Sequence, residues 1–196
     1  MLAAVLDTCV IYSGLRRDLL LSLAAVGVFH VVLTEDILFE INYVEAGKLQ
    51  EGGLDAEAAQ TRADHLTDEM RAAFGVEDES RVDLVKPVGL PDPNDEHLVA
   101  AAVAGGAEVI VTDNRKDLPD ALLPDGIRIQ EPRSFLHDMV SANPRLAVLA
   151  LVEMSRRRRH PPQTAVDVVN LMRQGGHALP DTITLLRSAL QHLDPS

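Results

Sequence analysis

The chain has 196 residues, of which 18 are basic and 30 acidic, so that its net charge is −12, and hydrophobic residues make up 46% of it. This apolar content excludes a largely disordered chain and suits one domain with an appendage or one large domain. Aromatic residues make up 3%, which argues against a surface that stacks nucleic-acid bases on aromatic rings. The single cysteine, Cys9, excludes an internal disulfide framework and favours a reducing, cytoplasmic setting.

The charge is spread unevenly along the chain. Residues 143–196 contain seven arginines and four acidic residues, whereas residues 1–142 contain eleven basic and 26 acidic residues. Because so acidic a body repels polyanions, binding to nucleic acid would require a divalent cation that neutralises carboxylates locally. The sequence also lacks an apolar run of the roughly 18 residues that cross a bilayer and the pattern of a signal peptide, so we expect no membrane association.

Up to residue 142 the apolar pattern predicts alternating strands and helices. In chain order we expect a strand over 2–6, a helix over 15–26, a strand over 28–33, helices over 35–47, 54–74 and 97–104, strands over 109–112 and 127–129, and a helix over 134–140. The strands are short, continuous apolar runs, as in sheets buried on both faces. This order predicts an α/β fold in which helices sandwich a parallel β-sheet.

The composition changes near Asn143, and the pattern beyond it is all-helical. Helices are predicted over 145–159, 163–173 and 180–193, separated by Pro161-Pro162 and Gly175-Gly176. We therefore predict a domain over 1–142 and a C-terminal all-helical extension over 143–196. One basic cluster lies in it, and it is interpreted either as the solvated end of a helix or as a contact for RNA or an acidic partner: Arg156, Arg157, Arg158 and Arg159.

Acidic residues lie at or near the carboxyl ends of predicted strands, where open parallel sheets bind ligands. Asp7 follows the first strand, and Asp113 and Asp117 follow the third. Asp95 is expected to open the helix that follows it, and Glu40 to be half-buried one to two turns into an earlier helix. Each alone is ordinary turn, cap or helix chemistry. Together, converging carboxylates repel one another, and Mg²⁺ or Mn²⁺ relieves that repulsion.

Three segments carry short motifs in a characteristic order: VLDTCV at 5–10, DPNDEHLVAAA at 92–102 and VIVTDNRKDLP at 109–119. Together they resemble the PIN-domain nucleases, and most of all the VapC-type toxins of bacterial toxin–antitoxin pairs. The resemblance implies a PIN-like fold and the hydrolysis of phosphodiester bonds of single-stranded RNA with Mg²⁺ or Mn²⁺. It also implies inhibition by a small cognate antitoxin protein and, by analogy, a homodimer.

Carried over residue by residue, the resemblance makes Asp7 and Asp95 the direct metal ligands, with Glu40 as the helix glutamate. The fourth region of the family motif falls on the turn 112–117. In that turn Asn114 and Asp117 match the family best, and an additional acid precedes them. The predicted catalytic residues are therefore Asp7, Glu40, Asp95, Asp113, Asn114 and Asp117.

Two other hypotheses stay open. The PIN scaffold could serve as a binding module without catalysis, or the chain could be a phosphatase of the haloacid-dehalogenase kind. The phosphatase requires a second aspartate two residues after Asp7, where Cys9 stands.

Two further polar residues near Asp95 are expected to have structural roles. His97 is interpreted as a packing and hydrogen-bonding residue, and Asp92 as a loop former.

Overall fold

The computed structural model describes residues 1–12, 14–174 and 179–192. Within them the strands are β1 (Ala3–Leu6), β2 (His30–Val32), β3 (Val109–Val111) and β4 (Arg128–Gln130). The helices are α1 (Thr8–Ile11), α2 (Gly14–Ala25), α3 (Glu35–Glu51), α4 (Ala56–Phe74), α5 (Glu79–Val82), α6 (Glu96–Gly105), α7 (Pro132–Ala142), α8 (Pro144–Arg157), α9 (Ala165–Gln174) and α10 (Pro180–His192). Two 3₁₀ turns cover Pro93–Asp95 and Asp120–Leu122.

The four strands form one parallel sheet in the order β2-β1-β3-β4. Val5 of β1 pairs with Val32 on one side and with Ile110 on the other, and all three side chains are fully buried. Such continuous apolar runs form where strands have no solvent-facing side. The predicted α/β class with a parallel sheet is therefore confirmed.

The chain divides into two compact units. The sheet unit comprises residues 2–12 and 30–130, and it contains the four strands with α1 and α3 to α6. The helical unit contains α2 and α7 to α10, and in it α8 packs on α2, α7, α9 and α10. Phe29 and Phe135 meet edge to face in its core, with their ring centroids 4.9 Å apart. The domain boundary between residues 142 and 143 stays a prediction, because helices from both sides of it share this core.

The sequence places most elements within a few residues of their observed ends, with three differences. Helix α3 continues through Gly47 to Glu51, because an isolated glycine costs a helix only about 1 kcal/mol. The four-residue helices α1 and α5 are missed, since so few residues show no periodicity. The predicted break at Gly175-Gly176 and the predicted helix end at Leu193 lie outside the described residues.

Helix α6 approaches β2 unusually closely at its last residue, Gly105. A Cβ atom added there would lie 2.5 Å and 2.9 Å from the two methyl carbons of Val32 and 3.2 Å from Glu77 Oε1. The next residue, Gly106, has φ of 65° and ends the helix in the left-handed conformation. Among the residues described, every helix is too short or too polar to cross a lipid bilayer.

Candidate active site

Asp7 lies where the carboxyl ends of β1 and β3 meet. Its backbone N–H donates to Val111 O at 3.0 Å, and its side chain accepts from the Thr112 hydroxyl, with 2.5 Å between Thr112 Oγ1 and Asp7 Oδ2. The same carboxylate caps α1 by accepting from Cys9 N–H at 3.2 Å, and it accepts from Cys9 Sγ at 3.1 Å. With 8% of its surface exposed, Asp7 is held firmly at the edge of the sheet.

Asp95 ends the 3₁₀ turn before α6, and its side chain makes no capping hydrogen bond. Asp95 is the N-cap residue of α6, as expected, but its carboxylate does not contribute to the cap. Asp92 caps the preceding 3₁₀ turn instead, by accepting from Asn94 N–H at 2.9 Å, which confirms the structural interpretation of Asp92. Because Asp92 supplies the capping bond, the Asp95 carboxylate is free of that role and can interact with the other acidic side chains nearby.

Glu96 fixes the loop that precedes Asp95. Its carboxylate accepts three backbone N–H groups, from Val88 at 2.8 Å and from Gly89 and Leu90 at 2.7 Å each. Such charge-assisted bonds are about twice as strong as neutral ones. The backbone around Asp95 is thus positioned by its neighbour and not by Asp95 itself.

The pKa of Asp95 shows which other acids lie close to it. Burial, which is the largest effect, and the negative charges of Asp7, Asp92 and Asp117 together raise the pKa of the Asp95 carboxyl to about 6, against a smaller opposing effect of His97. Like charges disfavour ionisation of a neighbouring carboxyl only at close range. The carboxylates of Asp7, Asp92 and Asp117 therefore lie within electrostatic range of Asp95, and we call these four residues the carboxylate cluster.

The turn after β3 contributes an amide to this cluster. Asn114 N–H donates to Thr112 Oγ1 at 2.8 Å, which orients the turn, and Asn114 Nδ2 lies 3.4 Å from Asp95 Oδ2. Asp113 is exposed, and its backbone contacts the Cys9 thiol. Of the three residues proposed from this turn, Asn114 and Asp117 lie toward Asp95.

Glu40 enters the site with a histidine partner. His97 Nε2 lies 3.1 Å from Glu40 Oε2, and His97 Nδ1 lies 2.6 Å from the carbonyl oxygen of Asn94. His97 lowers the pKa of Glu40, outweighing the effect of burial. Burial lowers the pKa of His97, but Glu40 and the Asn94 carbonyl raise it by more, so it ends above its usual value. The contact with Asn94 agrees with the interpretation of His97 as a hydrogen-bonding residue, and Glu40, a predicted site residue, lies within ion-pair distance of its ring.

Cys9 and Thr112 are site residues that the sequence did not mark as such. Burial and the charge of Asp7 raise the pKa of the Cys9 thiol to about 11, so the thiol stays protonated at neutral pH. It therefore acts as a hydrogen-bond donor to Asp7 and not as a thiolate nucleophile. No sequence signal joins Asp7 to Thr112, because their contact depends on the pairing of β1 with β3.

The donor set fits a hard divalent cation. Carboxylate oxygens suit Mg²⁺ and Mn²⁺, and Mg²⁺ usually keeps several waters and takes one or two carboxylates from the protein. In the described part of the chain no three His, Cys, Asp or Glu side chains are grouped closely enough to cage a metal ion. Asp7 and Asp95 fit as a pair, since a cation between them would relieve the repulsion that raises the pKa of Asp95.

The arginines at the end of α8 are largely engaged inside the helical unit. Arg156 pairs with Glu153 at 2.5 Å, Arg157 donates to Ser22 Oγ at 2.5 Å, and Arg158 pairs with Asp18 at 2.9 Å. Arg157 and Arg158 therefore contact α2, whereas the solvated helix end that the sequence suggests describes Arg156 better. A role of these arginines or of Arg159 in contacting RNA or a partner stays a prediction.

We expect Asp95→Asn to stabilise the metal-free protein at neutral pH. A carboxyl whose pKa is raised by folding destabilises the folded state increasingly as pH rises from about 3.8 to about 6, and fully above that range. Removing the charge should therefore raise the free energy of unfolding at pH 7.5 by about 1 kcal/mol, discounted for partial solvation, or about 2–4 °C in Tm. At pH 4 most of this gain should disappear.

Thermal unfolding in metal-free buffer at the two pH values measures this effect. Asp125→Asn, at an exposed turn position, is the matched control and should change Tm little at either pH. An equal gain for Asp95→Asn at both pH values would show that like-charge repulsion is not its cause.

Two family models match the chain. Residues 3–116, more than half of the chain, match the PIN domain, and residues 132–188 match the VapC50 C-terminal domain. No curated protein and no solved structure gives a significant match. The first match includes Asp7, Glu40, Asp95 and Asn114 and ends one residue before Asp117, and the second falls within the helical unit. The chain belongs to the PIN-domain family and carries the C-terminal domain of a VapC-type toxin.

Proposed function

We propose that this protein is an Mg²⁺- or Mn²⁺-dependent endoribonuclease that hydrolyses phosphodiester bonds of single-stranded RNA and acts as a toxin. The observation that carries the proposal is that one turn contacts two acids from distant segments of the chain. Thr112 Oγ1 donates to Asp7 Oδ2, and Asn114 Nδ2, two residues later, lies 3.4 Å from Asp95 Oδ2. Folding alone does not require several carboxylates to lie close together, and such groups are found mainly at functional sites.

The protein side of the mechanism follows from the contacts. Asp7 and Asp95 would hold the cation, which when bound polarises the phosphodiester and promotes the ionisation of an attacking water. Thr112 and Cys9 hold the Asp7 carboxylate in place, and Asn114 faces that of Asp95. His97 lies within ion-pair distance of Glu40 and would balance its negative charge when protonated. Water is the nucleophile, so no covalent intermediate on a side chain is required.

Metal removal tests the enzymatic proposal. The purified full chain should cleave a single-stranded RNA oligonucleotide in millimolar Mg²⁺ or Mn²⁺, lose cleavage in excess EDTA and regain it when the metal is returned. Product analysis on a denaturing gel should show internal cuts. Cleavage that persists in EDTA contradicts the metal mechanism, and absence of cleavage together with weak Mn²⁺ binding favours a binding module.

Expression in a bacterium tests the toxin proposal separately. The wild-type chain should arrest growth, and co-expression of its cognate antitoxin, expected from the neighbouring open reading frame, should relieve the arrest. An Asp7→Asn chain expressed to the same level is the control and should be harmless. Harmless expression of an active wild-type nuclease would contradict the toxin role while leaving the enzymatic proposal intact.

A further inference from the structure

Half of the aromatic residues of the chain lie exposed together on the sheet unit. Tyr12, Phe39 and Tyr43 expose 46%, 74% and 74% of their surface, and the chain has only six aromatic residues in all. Large rings bury much apolar area and are ordinarily covered in a folded protein. They line a pocket of about 610 Å³, which we call the aromatic pocket, together with Asn42, Lys48 and Gln60.

The aromatic pocket adjoins the carboxylate cluster through two short connections. Tyr43 lies three residues after Glu40 on α3 and four after Phe39, and residues at these spacings are surface neighbours on a helix. Tyr12 is the C-cap of α1, and Asp7 is the N-cap of the same four-residue helix. On each path the rings lie about one helical turn from a predicted catalytic carboxylate.

Both walls of the aromatic pocket are fixed by polar contacts. Lys48 Nζ donates to the carbonyl oxygen of Tyr12 at 2.9 Å and lies 5.0 Å from the centroid of its ring, which holds that ring by a cation–π contact. On the other side Gln60 donates to Asn42 at 2.7 Å and to Asp64 at 2.8 Å. Because these contacts already hold the walls of the pocket, a ligand would lose less binding free energy to the ordering of their side chains.

We propose that the aromatic pocket stacks unpaired bases of the RNA strand whose scissile phosphate lies at the carboxylate cluster. This inference rests on the proposed function. Stacking on these rings would accept any unpaired base, because every base has a π face. A strand that extends from the carboxylate cluster along α3 would reach these rings within about one helical turn of Glu40.

This proposal differs from the expectation that an aromatic content of 3% argues against a base-stacking surface. Six aromatic residues are too few to predict such a surface from their number. Their placement is what matters, since three exposed rings around one pocket suffice for two or three bases. The volume of the pocket also lies within the range of about 300–1,000 Å³ typical of small-ligand sites.

Steady-state cleavage of a single-stranded RNA oligonucleotide tests this inference. Phe39→Leu and Tyr43→Leu keep apolar bulk and remove the ring, and each should raise KM about tenfold while kcat stays within about twofold. Phe39→Tyr keeps a ring and should behave like the wild type. Leu84→Ala, at a residue 82% exposed and outside the pocket, is the control for loss of exposed apolar surface.

The outcomes separate this inference from the function on which it rests. An active wild type with unchanged KM in Phe39→Leu and Tyr43→Leu overturns the stacking role alone. An inactive wild type overturns the proposed function. RNA binding is then measured on the Asp95→Asn chain, and binding that weakens when Phe39→Leu or Tyr43→Leu is added upholds the stacking role of the pocket. Unchanged KM with dissociation of a dimer, or with loss of antitoxin binding, in these variants shows a protein interface and overturns RNA as the occupant.

Discussion

Asp7→Asn should reduce metal-dependent cleavage of single-stranded RNA by about 100- to 1,000-fold or more, because it removes a charge that the cation requires. The fold should survive, since asparagine caps a helix as well as aspartate does and its oxygen can still accept from the Thr112 hydroxyl. The loss of one accepted bond, from Cys9 N–H or Sγ, should cost only about 1 kcal/mol.

Initial rates at saturating Mn²⁺, with thermal unfolding of the same samples, measure both parts of this prediction. Asp125→Asn, an exposed aspartate in the same unit, should cleave at the wild-type rate. Thr112→Val leaves the carboxylate but removes its hydroxyl partner, so it should lower activity by a smaller factor, about 10- to 100-fold. Wild-type, metal-dependent rates from Asp7→Asn would refute the proposed mechanism.

Gly105→Ala should destabilise the protein by about 1–3 kcal/mol, although alanine favours helices over glycine by about 1 kcal/mol. The added methyl group would lie 2.5 Å from a methyl carbon of Val32, which is fully buried in β2 and stiff about its Cβ. Helix α6 or the strand must therefore shift. The expected fall in Tm is several degrees, about 2–4 °C per kcal/mol for a chain of this size.

Gly47→Ala supplies the matched comparison within a helix of the same unit. A Cβ atom there has no heavy atom within 4 Å, so this variant should be as stable as the wild type or more so. In the double variant Val32→Ala with Gly105→Ala, part of the loss should be recovered relative to the sum of the single effects. A Gly105→Ala chain as stable as the wild type would refute this account of the close approach.

The sequence predicts the sheet and its acids well because both depend on local patterns. The apolar runs that form β1 and β3 are continuous, and parallel strands bring their carboxyl ends to one edge. Asp7 and Asp117 are therefore placed near Asp95 by simple topology. The family motifs point to the same residues, so the match to the PIN domain and the physical argument agree.

Other features could not be predicted because they depend on side-chain geometry or on distant packing. The side chain of Asp92, and not that of Asp95, caps the backbone here, at the start of a 3₁₀ turn. A turn of three residues has no periodic pattern from which it could be predicted. The contact of His97 with Glu40 joins two helices far apart in sequence. The association of α2 with α8 in one unit likewise follows from contacts over more than a hundred residues.

The bonds from Glu96 to the backbone of residues 88–90 have a consequence for how this chain could lose its activity. Because the loop is anchored by Glu96, the adjacent Asp95 can change without displacing the main chain. We therefore expect a chain with Asp95 substituted to keep its fold while it loses the carboxylate that the proposed mechanism requires.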